Sequence, residues 1–499
     1  MHELIRLTAR EVVALLRKRE VSPLDLVDAA IARIEEVDPA VNALPIRCFD
    51  RARDQAKKMM NEGADAQERR LAGLPIAIKD LSRLAGVRTT WGSPIFQDYV
   101  ADRSDIGVES LERNGAIAVA KSNVPELGIG ANTTNPVFGA TRNPWNTDLT
   151  CGGSSGGAAV SVATGEVWLA SGSDGGCSLR VPASFCSVTT LRPTPGRVAS
   201  GTTSPVGPRH SPWETLSVEG PIGRTVGDVA LMFEAQIGAH PLDPRSMPVD
   251  GTSFIGAVDA PIVPKRIAFS RDLGGVTKVA REVGDICAQA AARFADLGAV
   301  VEEASPDLSD ASDVYGVLRA HSFVMTYGAV VEANRERVKR DMVWNVEQGM
   351  KLTSGAIVNA ERRRAAIVRR MADFFERFDV LLCPAACTPP FDVTLPALME
   401  LEGHRFEHYY DWYTICFVIS LVTNPAMSVP CGFTQAGLPV GLQIIGPLRG
   451  EARLLSAAKL VEDMAGLSGQ VPIDPRTPAA ALSGVRARSP TPSMQADSR

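Results

Sequence analysis

Residues 171–185 read SGSDGGCSLRVPASF, and this stretch decides how the rest of the chain is interpreted. Two residues with nucleophilic side chains, Cys177 and Ser178, follow the pair Gly175 and Gly176. Glycine-rich backbone turns sharply, and the free N–H groups of such a loop can stabilise an oxyanion. The pattern predicts a nucleophile loop and leaves open which of the two side chains attacks.

A second glycine-rich stretch, TCGGSSGGAA, covers residues 150–159. Its Gly152-x-Ser154-x-Gly156 pattern matches the nucleophile elbow of α/β-hydrolases, which requires a strand directly before it. The preceding segment, NPWNTDLT (143–150), is polar and turn-like, so we expect no strand there, and no Asp and His pair downstream stands out as triad partners. We therefore disfavour the elbow, although the stretch supplies a second candidate serine.

A lysine stands at the end of the apolar run LAGLPIAIKD (71–80). A lysine beside a serine can replace histidine as general base when burial lowers the pKa of the lysine toward neutrality. A lone lysine after a strand is more often a solvated surface residue, and a glycine loop can be a plain connection. The combination of Lys79 with two serine-bearing glycine loops favours a catalytic interpretation.

The order of these three stretches resembles that of the amidase signature family. The segments that carry the resemblance are GLPIAIKD (73–80), GATRNPWNTDLTCGGSSGG (139–157) and SDGGCSLRVPASFC (173–186), and it continues to about residue 466. Its most specific feature is the spacing, with a lysine 75 residues before a first serine and a second serine 24 residues after it. The resemblance implies an amide hydrolase with an α/β fold, in which helices cover both faces of a mixed, twisted β-sheet.

The resemblance also implies a role for each member of a Ser–cisSer–Lys triad. Lys79 matches the general base, and Ser154 matches the bridging serine, whose preceding peptide bond is cis. Ser178 matches the nucleophile that forms the acyl-enzyme. The backbone N–H groups that would hold the oxyanion belong to Gly175, Gly176, Cys177 and Ser178.

Around the triad, the resemblance implies a brace and a pocket. Asp174 and Arg180 would brace the nucleophile loop as an ion pair. The loop that would line the acyl pocket contains Gly128, Ile129 and Gly130, whose small or aliphatic character suits a bulky or aromatic group. We expect the mostly helical region 314–375 to roof the other side of the pocket, through residues that include Tyr327, Trp344 and Asn345.

The chain departs from the family pattern at four positions near the nucleophile. Cys177 stands where the family usually has glycine, and Ser187 and Thr190 replace two further glycines. Arg192 replaces a lysine. None of the three triad positions is altered, so we expect these changes to affect the pocket shape and the backbone rather than the reaction.

Apolar runs alternate with amphipathic segments along most of the chain, which is typical of α/β proteins with sites at strand ends. Two helices are expected near the beginning, one with a capping box from Thr8 to Glu11 and one from Ser22 to the Asp38-Pro39 pair. The expected organisation is a helical segment packing on the core (1–70), an α/β domain (71–477) and a disordered tail (478–499).

The composition excludes several classes of protein. The chain has 499 residues, of which 45% are hydrophobic and 22% charged, and its net charge is −5, which predicts neither a nucleic-acid partner nor a membrane. Nine cysteines without framework spacing and an N-terminus unlike a signal peptide favour the cytoplasm. Cys383 and Cys387 lack a second pair or a nearby histidine, so we predict no metal and no cofactor.

We therefore predict hydrolysis of the C–N bond of a small linear aryl or alkyl amide, with carbamates and esters also accepted. One alternative is the amidotransferase component that acts on mischarged tRNA, but its YGL…ASSLDQ segment has no match in residues 196–221. A degenerate, non-catalytic family member is the other alternative, and the intact triad positions argue against it. Whether the chain forms a homodimer is left open.

Overall fold

The computed structural model describes residues 1–200, 203–204, 207–208 and 211–477. The tail predicted to be disordered, residues 478–499, lies outside the described residues. The strands in chain order are β1 (Ile46–Arg47), β2 (Pro75–Lys79), β3 (Ile117–Ser122), β4 (Thr134–Asn135), β5 (Gly139–Ala140), β6 (Arg142–Asn143), β7 (Asn146–Thr150), β8 (Leu169–Asp174), β9 (Thr189–Arg192), β10 (Thr203–Ser204), β11 (Gly207–Pro208), β12 (Val218–Gly223), β13 (Arg266–Phe269), β14 (Val300–Glu303), β15 (Val380–Pro384), β16 (Glu400–Leu401), β17 (His404–Arg405), β18 (Ala426–Phe433) and β19 (Pro439–Ile445).

Eleven of these strands form one mixed sheet in the order β1-β3-β2-β8-β12-β9-β18-β19-β15-β13-β14. Two parts of it are parallel, β3-β2-β8 and β15-β13-β14. The strands between them are antiparallel to their neighbours, and β1 is antiparallel at the edge. The parallel parts come from the apolar runs that alternate with helices in the sequence, and the predicted α/β class is confirmed.

Helices form a large part of the remaining described residues, and three long helices span most of the predicted helical region 314–375. The helices are α1 (Glu3–Arg6), α2 (Ala9–Lys18), α3 (Pro23–Val41), α4 (Phe49–Glu62), α5 (Ala64–Glu68), α6 (Ile106–Arg113), α7 (Gly156–Ala163), α8 (Arg180–Cys186), α9 (Val226–Gln236), α10 (Phe254–Asp259), α11 (Arg281–Ala292), α12 (Ala311–Asn334), α13 (Arg340–Met350), α14 (Ser354–Phe375), α15 (Thr414–Val422) and α16 (Glu451–Ala465). None of the helices in the described ranges combines the length and the apolar character that a membrane crossing requires.

The helices cover both faces of the sheet, as predicted. In β2, Ile76 and Ile78 belong to an apolar cluster that also contains Leu231 of α9. Ala77, between them, belongs to a different cluster that contains Ala159 of α7. Because successive side chains of a strand point to opposite faces, these two clusters lie on opposite sides of the sheet.

The parallel pairing of β2 with β8 places two candidate residues at the same edge of the sheet. β2 ends at Lys79 and β8 ends at Asp174, and parallel neighbours have their carboxyl ends on one side. The loop 175–179 leads from β8 directly into α8. Ligand sites of α/β sheets form at this kind of edge, so the active site is expected there.

The second N-terminal helix ends two residues later than predicted. Helix α3 passes through Pro39 and ends at Val41, with Asn42 as a left-handed cap at φ 53°. The Asp38 carboxylate accepts the N–H groups of Ala43 and Leu44 at 2.6 and 3.0 Å. The aspartate therefore satisfies the backbone beyond the helix end, and the proline lies in the last turn instead of terminating the helix. Both predicted N-terminal caps, at Thr8 and Ser22, are present as capping boxes.

The expectation that residues 143–150 contain no strand is also wrong. Strands β6 and β7 pair antiparallel as a small hairpin directly before the second glycine-rich stretch. Its turn is held by the side chain of Asn143, which accepts the N–H of Trp145 at 2.9 Å. The hairpin is separate from the main sheet, so its residues need no apolar alternation, and it does not supply the core strand of a hydrolase elbow.

The segment 1–70 is not purely helical, because its strand β1 pairs with β3 at the edge of the main sheet. Strand β1 lies between α3 and α4, and both helices pack on the sheet through apolar residues such as Ile31 and Ala52. The N-terminal segment therefore contributes a strand as well as a helical layer.

Helix α8 ends at a residue where the family usually has glycine. Ser187 adopts a left-handed conformation, with φ 58°, and its N–H donates to the carbonyl of Ala183. Its hydroxyl is buried and has no hydrogen-bond partner among the described residues. A left-handed conformation costs a non-glycine residue roughly 1–2 kcal/mol, which glycine avoids.

We predict that Ser187→Gly increases the free energy of unfolding by about 1 kcal/mol, measured by urea denaturation, because it removes both the strain and the unpaired hydroxyl. Ser187→Ala is the matched control, since it removes only the hydroxyl and should gain less. A Ser187→Gly protein less stable than the Ser187→Ala protein would contradict this account.

Candidate active site

Lys79 is buried at the end of β2, among the hydroxyl groups of three serines. Its Nζ donates to Ser154 Oγ at 2.8 Å, to Ser155 Oγ at 2.7 Å and to Ser173 Oγ at 3.0 Å. The side chain is 1% exposed. The main-chain N–H of Lys79 donates to Ser171 Oγ at 3.1 Å, which fixes the strand end relative to β8. An amine so placed can exchange protons with a neighbouring hydroxyl.

The second glycine-rich stretch packs so closely that it has no room for side chains at its glycines. The peptide bond between Gly153 and Ser154 is cis, as the resemblance implied. The Thr133 hydroxyl donates to the carbonyl of Gly152 at 2.8 Å. A Cβ added at Gly157 would lie 2.4 Å from the backbone nitrogen of Asn123. The glycines therefore allow the bend that directs Ser154 toward Lys79.

In the loop 175–178, the carbonyl groups are hydrogen-bonded and the N–H groups are available. The hydroxyl of Tyr315 donates to the carbonyl of Gly175 at 3.3 Å, and Arg180 donates to the carbonyl of Gly176 at 2.8 Å. Within the described part of the chain, the N–H groups of residues 175–178 have no hydrogen-bond acceptor. Consecutive free N–H groups are what an oxyanion site requires.

The two glycine loops are joined to each other, since the N–H of Ser155 donates to the carbonyl of Ser178 at 3.1 Å. Ser154 and Ser178 both line one cavity, together with Ser173. The structure thus brings the two candidate serines and the lysine into one place, although they are far apart in the sequence.

Cys177 is buried and its side chain is directed toward the second loop. Its Sγ donates to the carbonyl of Gly153 at 3.7 Å. Burial raises the pKa of the Cys177 thiol well above its usual value, and the proximity of Cys416 and Asp174 raises it further. A cysteine nucleophile requires a thiolate, so this thiol is poorly suited to attack. Its φ is not positive, so the position does not require glycine.

Asp174 and Arg180 form a fully buried ion pair beneath the nucleophile loop. The guanidinium donates to the two carboxylate oxygens of Asp174 at 2.9 and 3.0 Å. It also donates to the carbonyl of Cys416 and to the side chains of Ser420 and Gln443 at 2.7–2.8 Å. Burial alone would raise the pKa of Asp174, but the charge and hydrogen bonds of Arg180 outweigh burial, so the pKa is lowered. The pair links the loop to α15 and β19.

Two of the departures from the family pattern are accommodated by hydrogen bonds. The hydroxyl of Thr190 donates to the carbonyl of Pro221 at 2.7 Å. Arg192 donates to the carbonyl of Leu216 at 2.8 Å and lies 3.6 Å from Asp174. Burial lowers the pKa of Arg192 to about 10. Neither residue lines the cavity, so both act on the support of the site.

The cavity has a volume of about 140 Å³ and is lined on one side by the loop 127–130. Gly128, Ile129 and Gly130 all line it, and both glycines have positive φ, at 76° and 95°. A Cβ at Gly128 would lie 2.7 Å from Leu81, which also lines the cavity. Backbone conformation therefore favours glycine at both positions, and at Gly128 a side chain would also have to displace Leu81.

The predicted roof is correct only in part. Helix α12 lines the cavity through residues that include Tyr315 and Tyr327. Trp344 and Asn345 of α13 do not line it, which corrects that expectation. Trp344 packs against aromatic residues of the segment 408–410, and Asn345 contacts Arg319. Helix α13 therefore lies behind α12 and supports it.

Several residues of the site, either around Lys79 or lining the cavity, were not found from the sequence. Ser155 is the second serine of the GGSSGG stretch, and Ser171 and Ser173 alternate along β8, so both patterns were visible as possible neighbours of a lysine. Arg319 of α12 had no sequence signal, because only the packing of the helix directs it into the cavity.

Among the described residues, no group of three or more His, Cys, Asp or Glu side chains is arranged to hold a metal ion.

Comparison with known proteins gives consistent matches over nearly the whole chain. A family model described as Amidase matches residues 25–455. An acylamidase from Rhodococcus erythropolis is 33% identical over 474 residues, which cover 94% of this chain and 97% of that protein. A glutamyl-tRNA(Gln) amidotransferase component from Moorella thermoacetica is 35% identical over 491 residues, covering 92% and 97%.

Solved structures match as well. A bacterial aryl acylamidase described as a member of the amidase signature enzymes superimposes with a TM-score of 0.86 at 27% identity, covering 93% of this chain and 98% of that chain. A 6-aminohexanoate cyclic dimer hydrolase in complex with substrate superimposes with a TM-score of 0.83 at 25% identity, covering 94% and 99%.

We predict that Asp174→Asn lowers the free energy of unfolding by about 3–5 kcal/mol, because it leaves Arg180 buried without its counter-charge. Because the pKa of Asp174 is lowered in the folded protein, ionised Asp174 stabilises the fold fully above the ordinary carboxyl pKa. This stabilisation is lost as the pH falls through the lowered pKa of the folded state. The difference between variant and wild type should therefore shrink in acid.

Glu302→Gln is the matched control, since it breaks the half-exposed pair with Arg266 and should cost at most about 1 kcal/mol. Chemical denaturation at several pH values measures both variants. Equal small losses in the two variants would contradict the role of the buried pair.

Proposed function

The chain belongs to the amidase signature family and is an amide-hydrolysing enzyme, and we propose that it cleaves small carboxamides through an acyl-enzyme on Ser178. The observation that carries this proposal is the 2.8 Å hydrogen bond between Lys79 Nζ and Ser154 Oγ, beside a cavity that Ser178 also lines. A nucleophile, a hydroxyl relay and an amine base thus lie within one buried site.

In the proposed first step, Ser178 Oγ attacks the carbonyl carbon of the amide. Ser154 Oγ takes the proton of Ser178 as its own proton passes to the neutral amine of Lys79. In this neutral state Lys79 keeps two N–H groups for Ser155 and Ser173 and accepts the hydrogen bond of Ser154 instead of donating it. Ser155 and Ser173 hold the lysine in position through their hydroxyl groups. The electron pair of the carbonyl bond moves to its oxygen, which becomes a tetrahedral oxyanion.

We assign stabilisation of this oxyanion to the backbone N–H groups of Gly175, Gly176, Cys177 and Ser178. The carbonyl groups of Gly175 and Gly176 already accept hydrogen bonds from Tyr315 and Arg180, which supports a fixed loop conformation before substrate binds. Donors fixed in advance stabilise charge that develops in the transition state more than charge in the ground state.

Collapse of the tetrahedral intermediate breaks the C–N bond and leaves the acyl group on Ser178. The leaving amine takes a proton from Lys79 through Ser154, so that the relay returns to its starting state. Water then attacks the ester carbonyl by the same route, and the carboxylic acid is released. Carbamates and esters fit the same sequence, because the N–H groups contact the carbonyl oxygen and not the leaving group.

The cavity favours a substrate group about as large as one aromatic ring. Its volume is about 140 Å³, and a dry cavity of about 150 Å³ accommodates benzene. The loop with Gly128 and Ile129 is small and apolar, and the relatives include an acylamidase and an aryl acylamidase. We infer small aryl or alkyl amides as the substrate class.

The similarity to glutamyl-tRNA(Gln) amidotransferases favours a second candidate function. In that function the chain would release ammonia from glutamine for transfer to a mischarged tRNA. A net charge of −5 does not favour binding to RNA, whose affinity depends on basic contacts with phosphates. Hydrolysis of acetanilides by the chain alone supports the amidase. Failure to hydrolyse them, together with ammonia release from glutamine only in the presence of mischarged tRNA, would favour the amidotransferase.

We predict that Ser178→Ala lowers kcat for an anilide by about 10⁴-fold or more and that Cys177→Ala retains most activity. The reason is that Cys177 contributes its backbone N–H and a buried thiol, whereas Ser178 forms the covalent bond. Mass spectrometry after treatment with a fluorophosphonate should locate the adduct on Ser178. An adduct on Cys177, or an active Ser178→Ala enzyme, would overturn the assignment, and an unlabelled wild type would support a non-catalytic protein.

We also predict that Lys79→Ala and Lys79→Arg both lose several orders of magnitude in kcat. Arginine keeps a positive charge but cannot give up its proton at accessible pH, so it separates a base from a mere cation. Steady-state anilide hydrolysis, with circular dichroism to verify folding, measures both. A Lys79→Arg enzyme with near-wild-type activity would show that the position supplies charge only.

A further inference from the structure

One face of helix α12 lines the cavity, and that face carries a single charged residue. The lining residues recur at helical spacing, and they are Tyr315, Arg319, Ser322, Phe323, Thr326 and Tyr327. Among the described residues that line the cavity, Arg319 is the only lysine or arginine. It is 7% exposed, so its charge is nearly removed from bulk water.

The groups that hold the guanidinium of Arg319 are all neutral. It donates to the side-chain carbonyl of Asn345 and to the hydroxyl of Tyr409. The central carbon of the guanidinium, Cζ, lies 4.5 Å from the ring centre of Phe323 and 4.8 Å from the ring centre of Tyr410. No Asp or Glu among the described residues forms an ion pair with it.

Most other buried arginines in the described part of the chain have a counter-charge, and the exception, Arg224, lies outside the cavity and donates to backbone carbonyl groups. Arg33, Arg83 and Arg180 are at least as buried, and each forms an ion pair with a carboxylate. A guanidinium stays charged at physiological pH and has five N–H donors, and buried charges are normally paired. With two hydrogen bonds to neutral groups, Arg319 keeps donors for a group inside the cavity.

The acidic residue that lines the same cavity does not fill this role. The carboxylate of Glu214 accepts the N–H groups of Leu216 and Ser217 at 2.5 and 3.4 Å, within its own segment. No ion pair joins this carboxylate to Arg319 among the described residues.

We propose that Arg319 binds a carboxylate carried by the amide substrate and so selects anionic amides. The inference rests on the proposed function, because it places the carboxylate in the cavity of Ser178. Tyr315 contacts the nucleophile loop, and Arg319 follows it by one turn, about 6 Å along the helix. That separation suits a succinyl group or a para-substituted benzoate, whose carboxylate accepts both donors of a guanidinium edge.

Two matched pairs of amides test the proposal in the wild-type enzyme without any variant. On the acyl side, N-succinyl-4-nitroaniline is compared with N-(4-methylpentanoyl)-4-nitroaniline, in which an isopropyl group replaces the carboxylate. On the amine side, 4-acetamidobenzoate is compared with 4-isopropylacetanilide. We expect kcat/KM to be at least about tenfold higher for the carboxylate member of one pair, in line with a charge-assisted hydrogen bond.

Arg319→Gln then tests the residue itself, because glutamine keeps hydrogen-bonding capacity toward Asn345 and Tyr409. It should lower kcat/KM about 10- to 100-fold for the preferred carboxylate substrate, mainly through KM, and change the neutral partner less than about threefold. Arg369→Gln is the control, since Arg369 is exposed on α14 and carries the same charge.

Preference for the neutral member of both pairs, or an equal loss for both members in Arg319→Gln, overturns the inference and leaves the proposed function standing. Failure of all four amides to react, with Ser178 labelled by a fluorophosphonate, also overturns the inference alone. The same failure with Ser178 unlabelled overturns the proposed function and the inference with it.

Discussion

The buried ion pair between Asp174 and Arg180 is the interaction on which the arrangement of the site depends. It uses all the donor directions of one guanidinium to join the end of β8, the nucleophile loop, α15 and β19. A loop of two glycines has little conformational preference of its own, so its shape has to be imposed from outside. Because Arg180 binds the carbonyl of Gly176, the same contact that neutralises the charge also turns the N–H side of the loop toward the cavity.

Sheet topology supplies the second half of the arrangement. Parallel pairing of β2 with β8 brings Lys79 and Asp174 to one edge, although they are 95 positions apart in the sequence. The bond from the N–H of Ser155 to the carbonyl of Ser178 then joins the two glycine loops above that edge. The proposed catalytic relay therefore depends on strand order, and the surrounding serines of β8 adjust the position of the lysine.

Much of this fold was predictable because apolar runs and helix caps are local signals. Strand β2, the capping box at Thr8 and the helix start at Ser22 follow directly from residue types. Proximity of Lys79 to the serines was not predictable from periodicity, and only the family resemblance suggested it. The errors at Pro39 and at the hairpin before residue 150 arose where backbone N–H groups donate to the side chains of Asp38 and Asn143, and these hydrogen bonds override the backbone preferences. Trp344 was wrongly placed in the cavity and Arg319 was missed, because helix packing decides which face of α12 or α13 meets the cavity.

In the proposed active site, the loop 175–178 presents its N–H groups to the oxygen of a group bound on Ser178. A crystal structure of the enzyme after reaction with a fluorophosphonate tests this claim most directly. We expect a phosphorus–oxygen bond to Ser178, with the phosphonyl oxygen about 3 Å from at least two of these N–H groups. A phosphonyl oxygen that faces away from the loop, or an adduct on Cys177 or Ser154, would contradict the claim.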